Sequence, residues 1–123
     1  MSVVVASLGL LLLTAGCNWD SGDLAATANS FKANRQALDA AILEAKQGLR
    51  DELIQRKYPL LTAHGFAVRS KPLIVEFSPV SFYYVLVYVE DEANLNQSEA
   101  MQDEGTIKRK LGNGWFIIQR GWM

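Results

Sequence analysis

Apolar residues between positions 24 and about 57 recur at intervals of three, four and seven, which is the spacing of one helix face. The stripe is Leu24, Ala28, Phe31, Leu38, Ile42, Ala45, Leu49 and Leu53. Asp23 is placed to cap the start, Gly48 predicts a bend or break, and Pro59 interrupts the pattern. We predict one long N-terminal helix that packs on a sheet of the same protein. A coiled-coil seam is the alternative, because the spacing is nearly heptad.

The second half of the chain is typical of β-strands. Apolar and β-branched runs occupy residues 66–69, 73–77, 82–89, 106–111 and 115–122, with prolines at 72 and 79. Residues 82–89 are apolar or aromatic at every position, which indicates a central strand buried on both faces. We therefore predict an α+β fold with the helix on a four- to five-stranded antiparallel sheet. The order of the predicted elements, a helix followed by a meander of strands, resembles that of cystatin-like and related helix-on-sheet folds.

The last two runs flank an Asn113-Gly114 pair, the strongest short signal for a hairpin because both residues tolerate positive φ. A two-residue turn predicts that Leu111 shares a face with Phe116, while Lys110 points the other way. The hairpin therefore combines an apolar face with a basic one.

An acidic segment, residues 90–105, lies between the strands and contains six carboxylates and no basic residue. Calcium binding is one hypothesis, but the spacing does not match an EF-hand loop. We predict a solvated loop or a short helix around residues 97–102, opposed by the basic residues 108–110, and no metal site.

The N-terminus begins with eleven mostly apolar residues, 3–13. As a helix they reach about 16 Å, whereas a bilayer core is about 30 Å thick, so they suit a signal peptide better than a membrane span. Leu13-Thr14-Ala15-Gly16-Cys17 follows, and this pentad resembles a bacterial lipobox, although that family prefers leucine in the place of Thr14. The resemblance implies diacylglyceryl attachment to the Cys17 thiol, cleavage between Gly16 and Cys17, and acylation of the new amino terminus. The alternative is a buried apolar strand or helix that precedes a cysteine.

The signal peptide carries no Lys or Arg before its apolar run, so we expect the natural start to lie upstream. The predicted organisation is a signal peptide at 1–16, a lipidated tether at 17–23 and one domain at 24–123. Removing the first 16 of the 123 residues leaves 107, enough for a single core. In the enterobacterial pattern an Asp after the lipidated cysteine retains a lipoprotein in the inner membrane. Asn18 therefore favours the outer membrane, with the domain facing the periplasm.

The amino-acid composition and the absence of known catalytic motifs limit the classes of function that this chain could have. Twelve basic and thirteen acidic residues give a formal net charge of −1, without the basic excess that favours nucleic acid. The single cysteine rules out an intramolecular disulfide. His64 is the only histidine, and no nucleophile-elbow, zinc-protease or phosphate-loop motif is present. We predict no catalytic residues and no cofactor.

The leading functional hypothesis is an envelope lipoprotein held by membrane lipid through acylated Cys17. It would bind another envelope protein through the open face or edge of its sheet. The alternative is a carrier of a small ligand in a pocket between helix and sheet, lined by Phe77, Tyr84, Tyr88 and Trp115.

Overall fold

The structure, a computed structural model, describes residues 21–121 and confirms the α+β class with an antiparallel five-stranded sheet. Three helices come first, and the strands follow with two short helical segments among them. The elements are α1 (Ser21–Ala33), α2 (Arg35–Lys46), α3 (Asp51–Lys57), β1 (Phe66–Ser70), β2 (Leu73–Phe77), β3 (Tyr84–Val89), a 3₁₀ helix (Glu92–Gln97), α4 (Glu99–Gln102), β4 (Thr106–Gly112) and β5 (Trp115–Gln119).

The prediction of one long N-terminal helix is wrong, because the helical region divides into α1, α2 and α3. The first break falls at Asn34, whose backbone leaves helical geometry with φ of −114° and ψ of 22°. Its side-chain amide and its backbone amide both donate to the Ser30 carbonyl, each at 2.9 Å. The second falls at Gly48, as predicted, where φ is +87°. There the Leu49 amide bonds the Glu44 carbonyl and the Gly48 amide bonds the Ala45 carbonyl, which is the Schellman pattern of a helix end.

The predicted apolar stripe nevertheless faces the sheet. Its buried members are Ala28, Phe31, Leu38, Ile42 and Ala45, and Leu24 and Leu49 pack against the same cluster. Leu53 is only partly buried and lies outside this cluster, because the break at Gly48 shifts the helical phase and buries Ile54 in α3 instead. α1 lies on β3 and β5, α2 on β2, and α3 on β1. Together the three helices contact β1, β2, β3 and β5.

The strands are ordered β1-β2-β3-β5-β4, and every neighbouring pair is antiparallel. β3 occupies the predicted central position, between β2 and β5. The predicted meander is wrong for the last two strands, because β5 pairs with β3 and places β4 at the edge. The chain reaches that edge through residues 90–105, which cross the second face of the sheet.

That second face has its own small core. Leu95 and Ala100, from the 3₁₀ helix and α4, pack on Val85, Val87 and the side chains of Ile74, Val89, Phe116 and Ile118. The short helix predicted around residues 97–102 is present as α4. Helical segments therefore cover both faces of the sheet, and residues buried on its two sides alternate along β2, β3 and β5.

The predicted two-residue turn is present, with φ of +55° at Asn113 and +87° at Gly114. Its register differs from the prediction, because two irregularities interrupt the pairing of β4 with β5. Lys110, not Leu111, pairs with Phe116. Leu111 packs instead against the core under the helices. The prediction assumed regular pairing of β4 with β5 and so placed Leu111 on the wrong face. Each bulge shifts the alternation of side chains between the two faces by one residue.

Candidate functional site

The four predicted pocket residues all lie on the sheet face that the helices cover. The Trp115 ring centroid is 6.0 Å from that of Phe77, 5.3 Å from that of Tyr88 and 5.4 Å from that of Phe31 in α1. Tyr84 lies four residues before Tyr88, near the other end of β3. The structure thus brings three of the four rings together, and at these distances the rings fill the space between them as part of the core.

A cleft of about 410 Å³ lies at one end of the sheet. The antiparallel order brings the start of β3, the end of β5 and the start of β4 to this end. The first turn of α1 contributes Asp23. The lining residues are Asp23, Tyr83, Tyr84, Thr106, Gln119, Arg120 and Gly121. Tyr84 is thus the one predicted pocket residue that borders this cleft.

Arg120 binds groups of its own chain beside the cleft. Its guanidinium donates to the Phe82 carbonyl at 3.1 Å and pairs with Asp103 at 2.8 Å. It also lies 4.4 Å from the centre of the Phe82 ring, in cation–π geometry. The side chain is only 9% exposed. These contacts hold the end of β5 against the loop before β3 and use two of the five guanidinium donors.

The edge strand β4 is the most exposed strand of the sheet, with all residues but Leu111 open to solvent. Because β4 ends the strand order, no strand within residues 21–121 pairs with its outer edge. Lys110 pairs with Glu92 at 3.0 Å. Lys108 and Arg109 form no ion pair within the described part of the chain. The strand thus presents free backbone groups together with positive charge.

Glu76 is a buried carboxylate that the sequence analysis did not single out. It is 4% exposed on the second face, where its oxygens accept from the amides of Glu99 at 2.9 Å and Ala100 at 3.0 Å. Burial raises the pKa of Glu76, while the two backbone hydrogen bonds act in the opposite direction. A glutamate inside the apolar run 73–77 was the available signal. Its role here is to hold α4 on the sheet.

The structure says less about the remaining predicted features. Gly16, Cys17 and the rest of the pentad lie outside the described residues, as does most of the predicted tether, although its last three positions belong to the first turn of α1. His64 is exposed, and its amide bonds the Ser78 carbonyl at 2.9 Å. Within residues 21–121, no His, Cys, Asp and Glu side chains cluster as a metal site requires. In the same residues, each helix is too short or too polar to cross a membrane.

Comparison with known proteins found no matching family model, no similar curated protein and no similar solved structure.

Proposed function

We propose that this protein is a small lipoprotein of a bacterial envelope, anchored through acylated Cys17, whose domain is a non-catalytic protein-interaction module. The lipobox-like pentad supports the anchor, and Asn18 supports an outer-membrane location facing the periplasm. α1 begins at Ser21, so the chain between the lipidated cysteine and the folded domain spans at most about 14 Å when extended. The domain therefore works close to the membrane surface.

The observation that carries the interaction role is the β4 edge. An unpaired edge offers a row of amide and carbonyl groups to an extended segment of another protein, which adds as a further strand. The basic residues Lys108, Arg109 and Lys110 oppose pairing between two copies, because like charges would then face each other. They favour an acidic segment, whose carboxylates would pair with Lys108 and Arg109.

The anchor is tested by metabolic labelling. Cells that express the wild-type chain with radioactive palmitate should yield a labelled protein that partitions into detergent. Cys17→Ser should remove the label without touching the described core. An intact mass that still includes residues 1–16 and an unmodified Cys17 would overturn the anchor.

The interaction is tested by photo-crosslinking in cells. A benzophenone amino acid at Arg109 on β4 should give one defined adduct, and the same probe at Arg56, exposed on α3, serves as the matched control. Lys108→Glu should abolish the Arg109 adduct, whereas Arg56→Glu, the same change of charge elsewhere, should preserve it. Adducts of equal yield from both positions, or an adduct insensitive to Lys108→Glu, would contradict binding at the β4 edge.

A small-ligand carrier is the second candidate, favoured by the 410 Å³ cleft that Tyr84 borders. A volume of this size is within the range of small-molecule sites. Native mass spectrometry of the purified protein should then show a bound mass that is lost on denaturation. A ligand-free spectrum from protein isolated directly from membranes would count against the carrier.

A further inference from the structure

Two neighbouring aromatic residues, Phe82 and Tyr83, are exposed at the end of the sheet where α1 begins. Their side chains are 41% and 44% exposed, and the rings meet edge to face with centroids 5.6 Å apart. We call these two residues and Arg120, which stacks on Phe82, the aromatic end. Exposing a large aromatic side chain to water is unfavourable in free energy. Two adjacent exposed aromatic residues therefore form a candidate contact surface.

The backbone of the aromatic end is held by hydrogen bonds. The Arg120 amide donates to the Tyr83 carbonyl at 2.8 Å, and the Arg120 guanidinium donates to the Phe82 carbonyl at 3.1 Å. The Tyr84 amide donates to the Ser81 hydroxyl at 3.4 Å. A fixed backbone therefore presents the two rings outward. Binding through them would cost little conformational entropy, because the chain is already ordered.

The aromatic end also adjoins the start of α1. Asp23, in the first turn of α1, lines the same cleft as Tyr83 and Arg120. Cys17 precedes Ser21 by four residues, a reach of about 14 Å at most. An acylated Cys17 would place its backbone at the headgroup layer, so the bilayer surface would lie within that distance of the start of α1, whose first turn borders the same cleft as the aromatic end.

We infer that the aromatic end docks on the membrane that anchors the chain, with Phe82 and Tyr83 in the headgroup layer; this rests on the proposed acylation of Cys17. Tyrosine concentrates at this layer because its apolar ring sits beside lipid while its hydroxyl stays hydrated. The Phe82 ring beside it adds apolar surface for the lipid boundary, as phenylalanine does on interfacial helices. The anchor raises the local concentration of membrane around the rings, so weak partitioning is enough for docking. β4 runs from Thr106, which borders the cleft, to Gly112 at the opposite end, so docking would direct the basic edge away from the bilayer.

Electrostatic attraction contributes little to the contact between the aromatic end and the bilayer. The Arg120 guanidinium is paired with Asp103, and Asp23 is an exposed carboxylate on the same cleft. We therefore expect docking on uncharged phosphatidylcholine vesicles and no dependence on salt, unlike binding by a basic patch.

Depth measurement by spin labelling tests the inference on the full acylated chain. Acylation occupies the only cysteine, so a cysteine introduced at Thr106 is the single thiol available for a nitroxide. Thr106 borders the cleft and leaves both rings in place. A matched label at Lys110 reports four residues further along the same strand. In phosphatidylcholine vesicles the ratio of oxygen to nickel-complex accessibility should be severalfold higher at Thr106 than at Lys110.

The rings themselves are tested in the Thr106-labelled chain. The double change Phe82→Ser and Tyr83→Ser should lower the accessibility ratio at Thr106 to the aqueous value. Leu43→Ser, at an exposed leucine of α2, should leave it unchanged. Circular dichroism of each variant checks that the fold is retained.

The outcomes separate the two proposals. An intact mass without acyl chains on Cys17 overturns the anchor and the docking together. An acylated chain with aqueous ratios at both labels overturns docking alone. A label at Thr106 that is immobilised yet inaccessible to oxygen shows that protein covers the aromatic end, which also overturns docking on lipid.

Discussion

The hairpin turn at Asn113-Gly114 provides the sharpest test of the packing of this fold, through the change Gly114→Ala. Gly114 has φ of +87°, and a Cβ atom there would lie 2.4 Å from the Val89 carbonyl oxygen and 3.2 Å from Tyr88 Cε1. The Val89 amide bonds the Gly114 carbonyl at 2.9 Å, so the turn is held against the end of β3. The carbonyl oxygen that blocks the Cβ belongs to a central strand and has little room to move.

Two costs add in this variant. A residue with a Cβ in the left-handed region costs about 1–2 kcal/mol. Forcing a methyl group into a filled space costs about 1–3 kcal/mol more. Gly114→Ala should therefore reduce the free energy of unfolding by about 2–5 kcal/mol, which for a domain of this size lowers Tm by about 10–30 °C.

Gly112→Ala is the matched control. Gly112 has φ of +90°, but a Cβ there would meet nothing within 4 Å. This variant should lose only the conformational cost of about 1–2 kcal/mol. The comparison of the two alanine variants therefore isolates the close approach of the turn to β3.

The assay is urea unfolding followed by far-UV circular dichroism, on a chain that starts at Asn18 and so contains every described residue. Equal losses for Gly112→Ala and Gly114→Ala would refute the contact with Val89. No loss for either would refute the left-handed backbone at both glycines.

Two further predictions concern the core. Burial raises the pKa of Glu76 above its ordinary value of 4.5, so the folded state binds more protons than the unfolded state between the unfolded-state and folded-state pKa values. Stability should therefore fall as pH rises from about 4.5 through the folded-state pKa and level off above it. Glu76→Gln should flatten this part of the stability profile measured by urea unfolding at several pH values, and an unchanged slope would show that another group causes it. Leu38→Ala, at a fully buried position in α2, should cost about 2–5 kcal/mol, whereas Leu43→Ala on the exposed face of the same helix should stay within about 0.5 kcal/mol. Similar Tm values for the two alanine variants would contradict the assignment of the buried helix face.

The local pattern of the chain predicts much of the fold. The spacing of Leu38, Ile42 and Ala45 identifies the helix face that packs on the sheet, because helical periodicity depends only on residues three and four apart. Residues 82–89 indicate a central strand because both faces of the run are apolar, and β3 is central. The predicted strand is two residues too long, because β3 begins at Tyr84 and leaves Phe82 and Tyr83 exposed. Asn113-Gly114 predicts its turn because few other residue pairs tolerate two positive φ angles.

Prediction from sequence was weaker for the candidate site. All four predicted pocket residues belong to or pack on the core under the helices, and Tyr84 also borders the cleft at the start of β3. An aromatic residue in a strand is equally consistent with packing and with a pocket, and only the helix lying above it decides which occurs. Arg120 and Phe82 lie 38 residues apart in sequence, and no local pattern indicates their stacking.

The sequence by itself determined the α+β class, the buried faces of the helices, the strand positions and the turn, because each depends on neighbours within a few residues. Only the tertiary structure decided the division of the helical region at Asn34, the edge position of β4 and the burial of Glu76 beneath α4. It also decided which aromatic residues stay exposed beside the start of α1. These features depend on segments that are distant in sequence and come into contact only when the sheet assembles. Local residue spacing therefore carries no information about them.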